Sequence, residues 1–462
     1  MSGAQHSKPY GLATLTLLVI ASMIGSGVFT TSGYTLAAVG SPARVMVCWL
    51  IGGGIALCGA VAFGRLARLM PESGGEYLYL TRNVHPMAGF LAGWVSLTAG
   101  FSGAIATAAV AFESYALRPS DRPEWLPDDV VAIALVLACG VAHAMHVRGG
   151  AILQNIVVVV KLLALAVFLG VVAVRLPVHE WHFAAIESAP TNMWDVTTAI
   201  ATSVVWISLS YAGFNAAIYV ASESEQASRS VPRALLLGTL LVAALYLLLN
   251  LAFVTSTDAG QLVGRNDVAA ISALSIGGHC LEILIRVTIS LGLFSSVSGM
   301  LMTGPRVYSQ MATDGVFPQL FRIDRHGAVR SVSLQTLLAV ALILIQRVLV
   351  AAGIVETSLL GLLDYLGTTL SLSSACCVAT LFLRRVRQRT DFASSHIESL
   401  AAAVYVAATF TSIVLLMLRR GADGAPLGVR HLAGTALTIV TGLVAWNVFR
   451  VRGRRHETPV GS

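Results

Sequence analysis

The sequence predicts an all-α polytopic membrane protein with twelve transmembrane helices. Of its 462 residues, 56% are hydrophobic and only 11% are charged, whereas a soluble domain carries roughly 25% charged residues. Its apolar residues collect in runs of about 20, which is the length of helix that crosses a bilayer. Its arginines collect between alternate runs. Together these observations exclude an ordinary soluble enzyme and a disordered chain.

Twelve apolar runs are long enough to span a membrane, and short linkers join them without a separate soluble domain. The first run follows a short polar N-terminus and has no signal-peptide cleavage site, so we expect it to be retained as a span. The runs occupy residues 12–38, 43–66, 86–112, 129–147, 150–174, 196–220, 233–256, 281–304, 332–352, 357–383, 400–418 and 431–449.

The basic residues predict the orientation. With twelve spans both termini share one side, and 19 of the 30 lysines and arginines fall on that side, including the clusters at 384–389 and 450–455. Because cytoplasmic loops carry the excess of lysine and arginine, both termini are predicted to be cytoplasmic in an inner (cell) membrane. The net charge of +7 therefore reflects topology and contact with the lipid bilayer, and no nucleic acid partner is expected.

Metal sites and disulfides are not expected. The six cysteines form no CxxC pair and no Cys/His metal spacing. His143 and His146 lie one helical turn apart, but no carboxylate or cysteine accompanies them. The loop 114–130 contains no cysteine that would attach a partner subunit by a disulfide.

Two spans contain residues that break a continuous helix. The first span carries a Gly-Ser-Gly sequence at 25–27, and the sixth carries a small, polar and Gly-containing centre at 208–215. Glycine costs about 1 kcal/mol in a helix interior, and a break frees backbone polar groups where there is no bulk water. One such break also fits close helix packing. Two breaks, each opening a block of five spans, instead indicate a transporter's binding site.

The break in the first span suits an amino acid. The outer half of this span begins near 26–28, where free N–H groups and the positive end of the helix dipole favour a carboxylate. The inner half ends near 22–24, where free carbonyls favour a cation. The α-carboxylate and α-ammonium of an amino acid match these two ends.

Several motifs of this chain resemble those of the amino acid–polyamine–organocation (APC) superfamily, in its bacterial amino acid permease branch. The motifs are IGSGVF at 24–29, PESGGEY at 71–77, GFLAGW at 89–94, KLLAL at 161–165 and YAGFN at 211–215. The resemblance implies a 5+5 inverted-repeat fold of the leucine-transporter type with broken helices 1 and 6. It divides the chain into a first repeat at 1–175, a second, inverted repeat at 176–390, and helices 11 and 12 with a basic tail at 391–462.

The resemblance also implies a substrate site. Ser26 and Gly27 would bind the substrate carboxylate through backbone N–H groups, and the carbonyls of Ile24 and Leu209 would bind the α-ammonium. Asn215 would brace the unwound part of the sixth span. Relatives often carry an aromatic gate where this chain has Leu209, so Tyr211 and Phe214 are the candidate gates. The substrate-binding set is Ile24, Gly25, Ser26, Gly27, Ser102, Leu209, Tyr211, Gly213, Phe214 and Asn215.

Charges within the spans are functional candidates, because a charge there costs a few kcal/mol. Lys161 lies near the middle of the fifth span. By resemblance it would contact the inner half of span 1 and hydroxyls of span 8, for which Ser295, Ser296 and Ser298 are the candidates. It is either a coupling residue or a static tether. Asp364 would bind a cationic side chain, carry a proton, pair with a cation such as Arg286, or face water in an outer vestibule.

Three charged residues near the outer span ends, Glu113, Glu282 and Arg286, are expected to be solvated at the interface. They are not included among the functional candidates.

The predicted function is secondary active transport of an amino acid by alternating access, through proton symport or exchange and without sodium. The mainly apolar and small site residues favour a neutral amino acid. The alternatives are an antiporter for cationic amino acids or polyamines, and an amino acid sensor that does not transport. No GxxxxGK[ST], HExxH or GxSxG sequence occurs, so we expect neither direct use of ATP nor an enzyme. No cofactor is expected, and the sequence predicts no oligomeric state.

Overall fold

The structure is a computed structural model. It describes residues 10–144, 150–224, 226–322, 327–383, 396–418 and 428–456. The basic cluster at 384–389, which was assigned to the cytoplasmic side, lies outside the described residues. Every regular element in the described ranges is a helix.

Sixteen α-helices are defined here in chain order. They are α1 (Leu12–Met23), α2 (Gly27–Val39), α3 (Pro42–Leu69), α4 (Gly75–Asn83), α5 (Pro86–Val95), α6 (Ala104–Ala116), α7 (Val130–Ala144), α8 (Gly150–Arg175), α9 (Met193–Ser210), α10 (Ala227–Thr255), α11 (Ala259–Leu262), α12 (Val268–Thr313), α13 (Gly327–Ala351), α14 (Ser358–Ala379), α15 (His396–Leu418) and α16 (Gly428–His456).

These helices confirm the predicted polytopic fold. Within the described ranges, nine helices are long and apolar enough to cross a membrane, and α1 and α2 form a tenth span bent by 44°. The shorter apolar helix α7 lies where the fourth span was predicted. The sixth predicted span is α9, followed after a turn by the 3₁₀ segment Ala216–Glu223. A π-helical segment, Ser96–Gly103, joins α5 to α6 into one span.

The broken helices lie inside the bundle, and long helices surround them. All of α2 from Gly27 to Leu36 is buried. In contrast, large apolar side chains point outward from α8 and α13, where Leu163 is 61% and Val348 66% exposed. An outward apolar surface of this kind is what a helix bundle presents to lipid tails.

Loop contacts define two ends of the bundle. One end, called the α4 face, holds α4 and residues 314–322, which are joined by a 2.7 Å hydrogen bond from the Tyr77 hydroxyl to Asp314. The other end, called the opposite face, holds residues 117–129, 176–192 and 256–267. There the N–H of Gly264 donates to the Gly33 carbonyl over 3.0 Å.

The expectation that Glu113, Glu282 and Arg286 are solvated is wrong. Glu113 is 4% and Glu282 3% exposed. Arg118 and Arg286 donate to Glu282 over 3.0 and 2.8 Å, and Arg122 pairs with Glu113. The loops of the opposite face cover these helix ends. Because buried carboxylates need partners to offset the loss of hydration, these partly exposed arginines pair with them.

Candidate functional site

The two helix breaks contact each other at the centre of the bundle. A Cβ atom at Gly27 would lie 2.4 Å from the Ser210 Oγ, and one at Gly213 would lie 2.7 Å from the Ser22 carbonyl oxygen. Gly213 also has a φ of +96°, which only glycine adopts without strain. The Thr31 hydroxyl is 3.2 Å from that of Ser210. The small residues of both breaks therefore permit direct backbone contact between the first and sixth spans.

The break in the first span exposes the N-terminus of a buried helix. Helix α1 ends at Met23, the following residue Ile24 has non-helical φ and ψ angles, and α2 begins at Gly27. The first N–H groups of a helix have no intrahelical acceptor, and the Ser26 side chain does not cap them. This end of α2 is suited to a carboxylate, because the dipole adds partial positive charge there.

Tyr246 of α10 connects the two breaks. Its hydroxyl oxygen lies 2.6 Å from the Met23 carbonyl oxygen and 3.2 Å from that of Ser210, the last residues of α1 and α9. The sequence analysis missed this residue, because a tyrosine in an apolar span carries no signal of its own.

Lys161 contacts the end of α1, as the resemblance implies. Its ammonium donates a 2.5 Å hydrogen bond to the Ile24 carbonyl. Gly292 of α12 leaves room for the lysine stem, since a Cβ there would lie 3.2 Å from the Lys161 Cδ. A narrow cavity, too small for a water molecule, lies beside Lys161; its lining is Ile24, Gly25, Phe29, Lys161, Ile289, Gly292, Leu293 and Ser296.

The three candidate serines of α12 lie in different surroundings. Ser296 lines the Lys161 cavity and donates to the Gly292 carbonyl over 2.9 Å. Ser295 is 8% exposed. The Ser298 hydroxyl is instead 2.8 Å from the His143 Nε2 on α7. The structure therefore brings Ser296 to Lys161 and directs Ser298 toward another helix.

A second cavity, of about 50 Å³, lies on the other side of the sixth span. It has room for a few water molecules, and the hydroxyls of Ser208 and Ser371 meet 2.7 Å apart within its lining. The lining is Gly52, Ile55, Ala56, Val204, Ser208, Leu209, Tyr211, Ala212, Phe214, Leu366, Gly367, Leu370, Ser371, Ser374, Tyr405 and Thr409. We call this space the sixth-span cavity. Leu209, Tyr211 and Phe214 of the predicted set line this cavity, whereas Ile24 and Gly25 line the cavity beside Lys161.

Asp364 is buried between α9 and α14. It is 6% exposed, and its Oδ1 accepts a 2.5 Å hydrogen bond from the Trp206 indole N–H. The suggestion that it faces water is therefore wrong. Arg286, one suggested partner, is engaged with Glu282 and Asp267 at the opposite face.

Ser102 lies in the π-helical segment of the third span. It is fully buried, and among the described residues its hydroxyl has no hydrogen-bond partner. Gly103 beside it packs on α14, where a Cβ would lie 2.3 Å from the Leu366 Cδ2. Short π-helical segments are frequent at functional sites, and an unpartnered buried hydroxyl suits a ligand.

Asn215 follows the break of the sixth span and reaches the α4 face. Its amide Nδ2 is 3.5 Å from the Glu76 Oε1. Glu76 is 8% exposed and also accepts from the hydroxyls of Ser373 and Ser374, over 2.8 and 2.6 Å. The sequence analysis quoted the Glu76 motif for its resemblance and assigned this carboxylate no role.

A family model described as "Amino acid permease" matches residues 10–446. The chain belongs to the amino acid permease family. The match covers both helix breaks, Lys161 and Asp364, and it confirms the resemblance to the superfamily. Membership also agrees with the expectation that the protein is not an enzyme, because the relatives named below are transporters.

The permease is similar to three curated transporters. It is 27% identical over 320 residues to the human "Asc-type amino acid transporter 1" and 28% identical over 323 residues to the human "Large neutral amino acids transporter small subunit 2". The alignments cover 68% and 69% of this permease but 60% of each relative. It is 27% identical over 351 residues to the "Serine/threonine exchanger SteT" of Bacillus subtilis (strain 168), covering 74% of this permease and 77% of the exchanger.

Proposed function

We propose that this protein is a secondary active transporter of neutral amino acids that works by alternating access. The observation that carries the proposal is the contact between the two broken spans, which brings a free helix N-terminus and a free helix C-terminus together. The names of the similar transporters and of the exchanger support the same substrate class.

The substrate carboxylate binds the N–H groups of Ser26 and Gly27, which begin α2. The substrate ammonium binds carbonyls at the end of α1, where Ile24 already accepts from Lys161. A carbonyl oxygen has two lone pairs, so the lysine and the substrate share this acceptor. The residues that line the two cavities favour a substrate with an uncharged side chain, because Lys161 is the one charged residue among them.

Lys161 replaces a bound cation. Its ammonium holds the end of α1 to α8 from a position beside α12. A transporter with this internal ammonium needs no sodium ion to bind the free carbonyls of the break. The proposed coupling is therefore exchange of amino acids, proton symport or both. The orientation we propose has both termini and the α4 face on the cytoplasmic side.

Transport in proteoliposomes tests the proposal. Uptake of radiolabelled L-alanine, L-serine, L-leucine, L-arginine and putrescine is measured with and without internal unlabelled amino acids, in sodium and in choline buffers. The expected result is sodium-independent uptake of neutral amino acids that internal neutral amino acids accelerate. A strict sodium requirement would contradict the role given to Lys161.

Two other results point to the alternatives. Uptake restricted to L-arginine or putrescine favours a cationic substrate, for which Asp364 is the buried carboxylate of the second repeat. Binding without uptake favours a sensor. Binding is read separately as an increase in the thermal unfolding midpoint, because a ligand of the native state stabilises it by mass action.

A further inference from the structure

The structure ties together three helical segments at the α4 face through the PESGGEY motif at 71–77. The Ser73 hydroxyl lies 2.6 Å from that of Ser222 and accepts from the Ser222 N–H over 3.0 Å. Gly75 has a φ of +56°, and a Cβ there would lie 2.2 Å from a ring carbon of Tyr219. The motif is thus packed directly on the 3₁₀ segment Ala216–Glu223 that continues the broken sixth span.

Glu76 extends this contact to the tenth span. Its two oxygens accept from Ser374 and Ser373 of α14, and its Oε1 lies 3.5 Å from the Asn215 amide at the end of the sixth-span break. A carboxylate can accept several hydrogen bonds, whereas the neutral acid must donate one through its own O–H. Because a serine hydroxyl can either donate or accept, the two serines satisfy the ionised carboxylate and also the neutral acid, which donates to one of them.

The surroundings of Glu76 contain no basic partner among the residues that the structure describes. The nearby basic residues of α3 are engaged with α15, where Arg65 donates to Ser399 and Arg68 pairs with Glu398. The titratable groups that face Glu76 are phenols and thiols; they are Tyr219 of the 3₁₀ segment, Cys376 and Cys377 of α14, and Tyr405 of α15.

Burial raises the pKa of the Glu76 carboxyl, and the hydrogen bonds from Ser374 and Ser373 partly lower it again. Because no cation neutralises the carboxylate, its charge is held by hydroxyl and amide donors alone. Ser374 also lines the sixth-span cavity. Glu76 is therefore next to a space that has room for water and reaches the break of the sixth span.

We propose that Glu76 is a protonatable latch that holds the unwound sixth span to α14, and that loss of its proton opens the transporter toward the α4 face. The proposal rests on the transport function proposed above. A carboxyl that is buried without a cation is favoured in its neutral form, whereas the ionised carboxylate is favoured by hydration, which it gains only when the packing around it opens. The sixth and tenth spans then separate at this end.

Exchange at equal pH on both sides of the membrane tests the latch. Proteoliposomes carry internal unlabelled amino acids, and an equimolar mixture of radiolabelled L-alanine, L-serine and L-leucine is the probe. The wild type is expected to exchange more slowly as the pH falls from about 8 to about 5, the range over which a carboxyl with a raised pKa titrates. Glu76→Gln is expected to lose this dependence and to keep the slow rate throughout.

Glu72→Gln is the matched control. Glu72 belongs to the same motif, but it lies at the surface and pairs with Arg82, so this variant is expected to follow the wild-type profile. A combined Ser373→Ala and Ser374→Ala variant is expected to move the midpoint to higher pH, because it removes donors that favour the ionised form. A wild-type pH profile in Glu76→Gln, or an unchanged midpoint in the serine variant, overturns the latch.

Hydrogen exchange at neutral pH tests the latch without transport. Amides of residues 73–83 and 213–224 are expected to exchange more slowly in Glu76→Gln than in the wild type and in Glu72→Gln. Equal protection in the three proteins overturns the latch. Slower exchange in a Glu76→Gln protein whose wild type moves no amino acid supports the latch and contradicts the proposed transport function, so the two failures are distinguishable.

Discussion

At the scale of single residues, glycines at the helix breaks determine whether the two spans can touch. Gly27 and Gly54 illustrate the contrast. A Cβ at Gly27 would lie 2.4 Å from the Ser210 Oγ and 2.7 Å from its Cα, whereas a Cβ at Gly54 of α3 meets nothing within 4 Å. Both residues are glycines in apolar spans, so the sequence does not separate them.

Gly27→Ala is expected to destabilise the protein by about 1–3 kcal/mol, the usual cost of overpacking a core, and to abolish transport because it separates the breaks. The thermal unfolding midpoint and amino acid uptake are the measurements. Gly54→Ala is the control and is expected to keep both. Equal stability in the two variants would mean that the breaks do not need to touch.

Lys161 connects α8 to the end of α1 through a single hydrogen bond to Ile24. Lys161→Met keeps the length of the side chain and removes the charge. A hydrogen bond from a charged group contributes about 1.5–3 kcal/mol, so uptake is expected to fall roughly tenfold or more. Lys161→Arg restores a donor and is expected to recover part of the activity. Full uptake in the methionine variant would mean that the lysine contributes only packing and that its charge is not needed.

At the scale of elements, α4 acts as a clamp on other helices. Its residues contact the 3₁₀ segment of the sixth span through Asn215, α14 through Ser373 and Ser374, and the end of α12 through the Tyr77 bond to Asp314. In the sequence, only the resemblance to the family singles out the motif that begins α4. Which helices it joins depends on how they cross at this face.

The Glu76 carboxyl gives the clamp a pH-dependent stability. Burial raises its pKa in the folded protein, so the native state binds the proton more tightly than the unfolded chain does. Its stabilising contribution is complete below the unfolded pKa of about 4.3 and is lost as the pH rises through the folded pKa. The thermal unfolding midpoint of the wild type is therefore expected to fall as pH rises through this window. Glu76→Gln is expected to flatten this part of the curve.

The contribution of the surface carboxylate Glu72 to stability has the opposite dependence on pH. Its hydrogen bond with Arg82 lowers the pKa of Glu72, so its contribution is present above the unfolded pKa and is lost as the pH falls. Glu72→Gln therefore retains the decline in stability with rising pH. A decline that survives in Glu76→Gln and disappears in Glu72→Gln would contradict the assignment.

At the scale of the whole molecule, the two ends of the bundle are held by different interactions. The α4 face uses hydroxyls and one buried carboxylate without a basic partner among the described residues. The opposite face uses buried ion pairs, in which Arg286 contacts Glu282 and Asp267. The proposed alternating-access cycle requires each end to open in turn, and these two chemistries respond differently to pH.

Arg286→Met is expected to cost about 1.5–3 kcal/mol, because it removes one charged hydrogen-bond partner from each of two buried carboxylates, which keep Arg118 and Arg265. The matched control is Arg82→Met at the α4 face. Its pair with Glu72 is solvent-exposed, so the control is expected to cost no more than about 1 kcal/mol. Thermal unfolding midpoints of both variants measure the difference. Equal losses would mean that the opposite face is not held by its buried pairs.

The sequence by itself determined the helical membrane fold, the approximate spans, the two breaks and the family. These features follow from local quantities, namely the length of apolar runs and the glycines within them. The tertiary structure alone decided which residues meet. It brought Lys161 to Ile24, separated Ser298 from that pair, buried Glu282 with arginines and joined Glu76 to α14. Such contacts depend on the rotation and crossing of helices that are distant in the chain, because side chains in a close-packed interior are positioned by their neighbours in space.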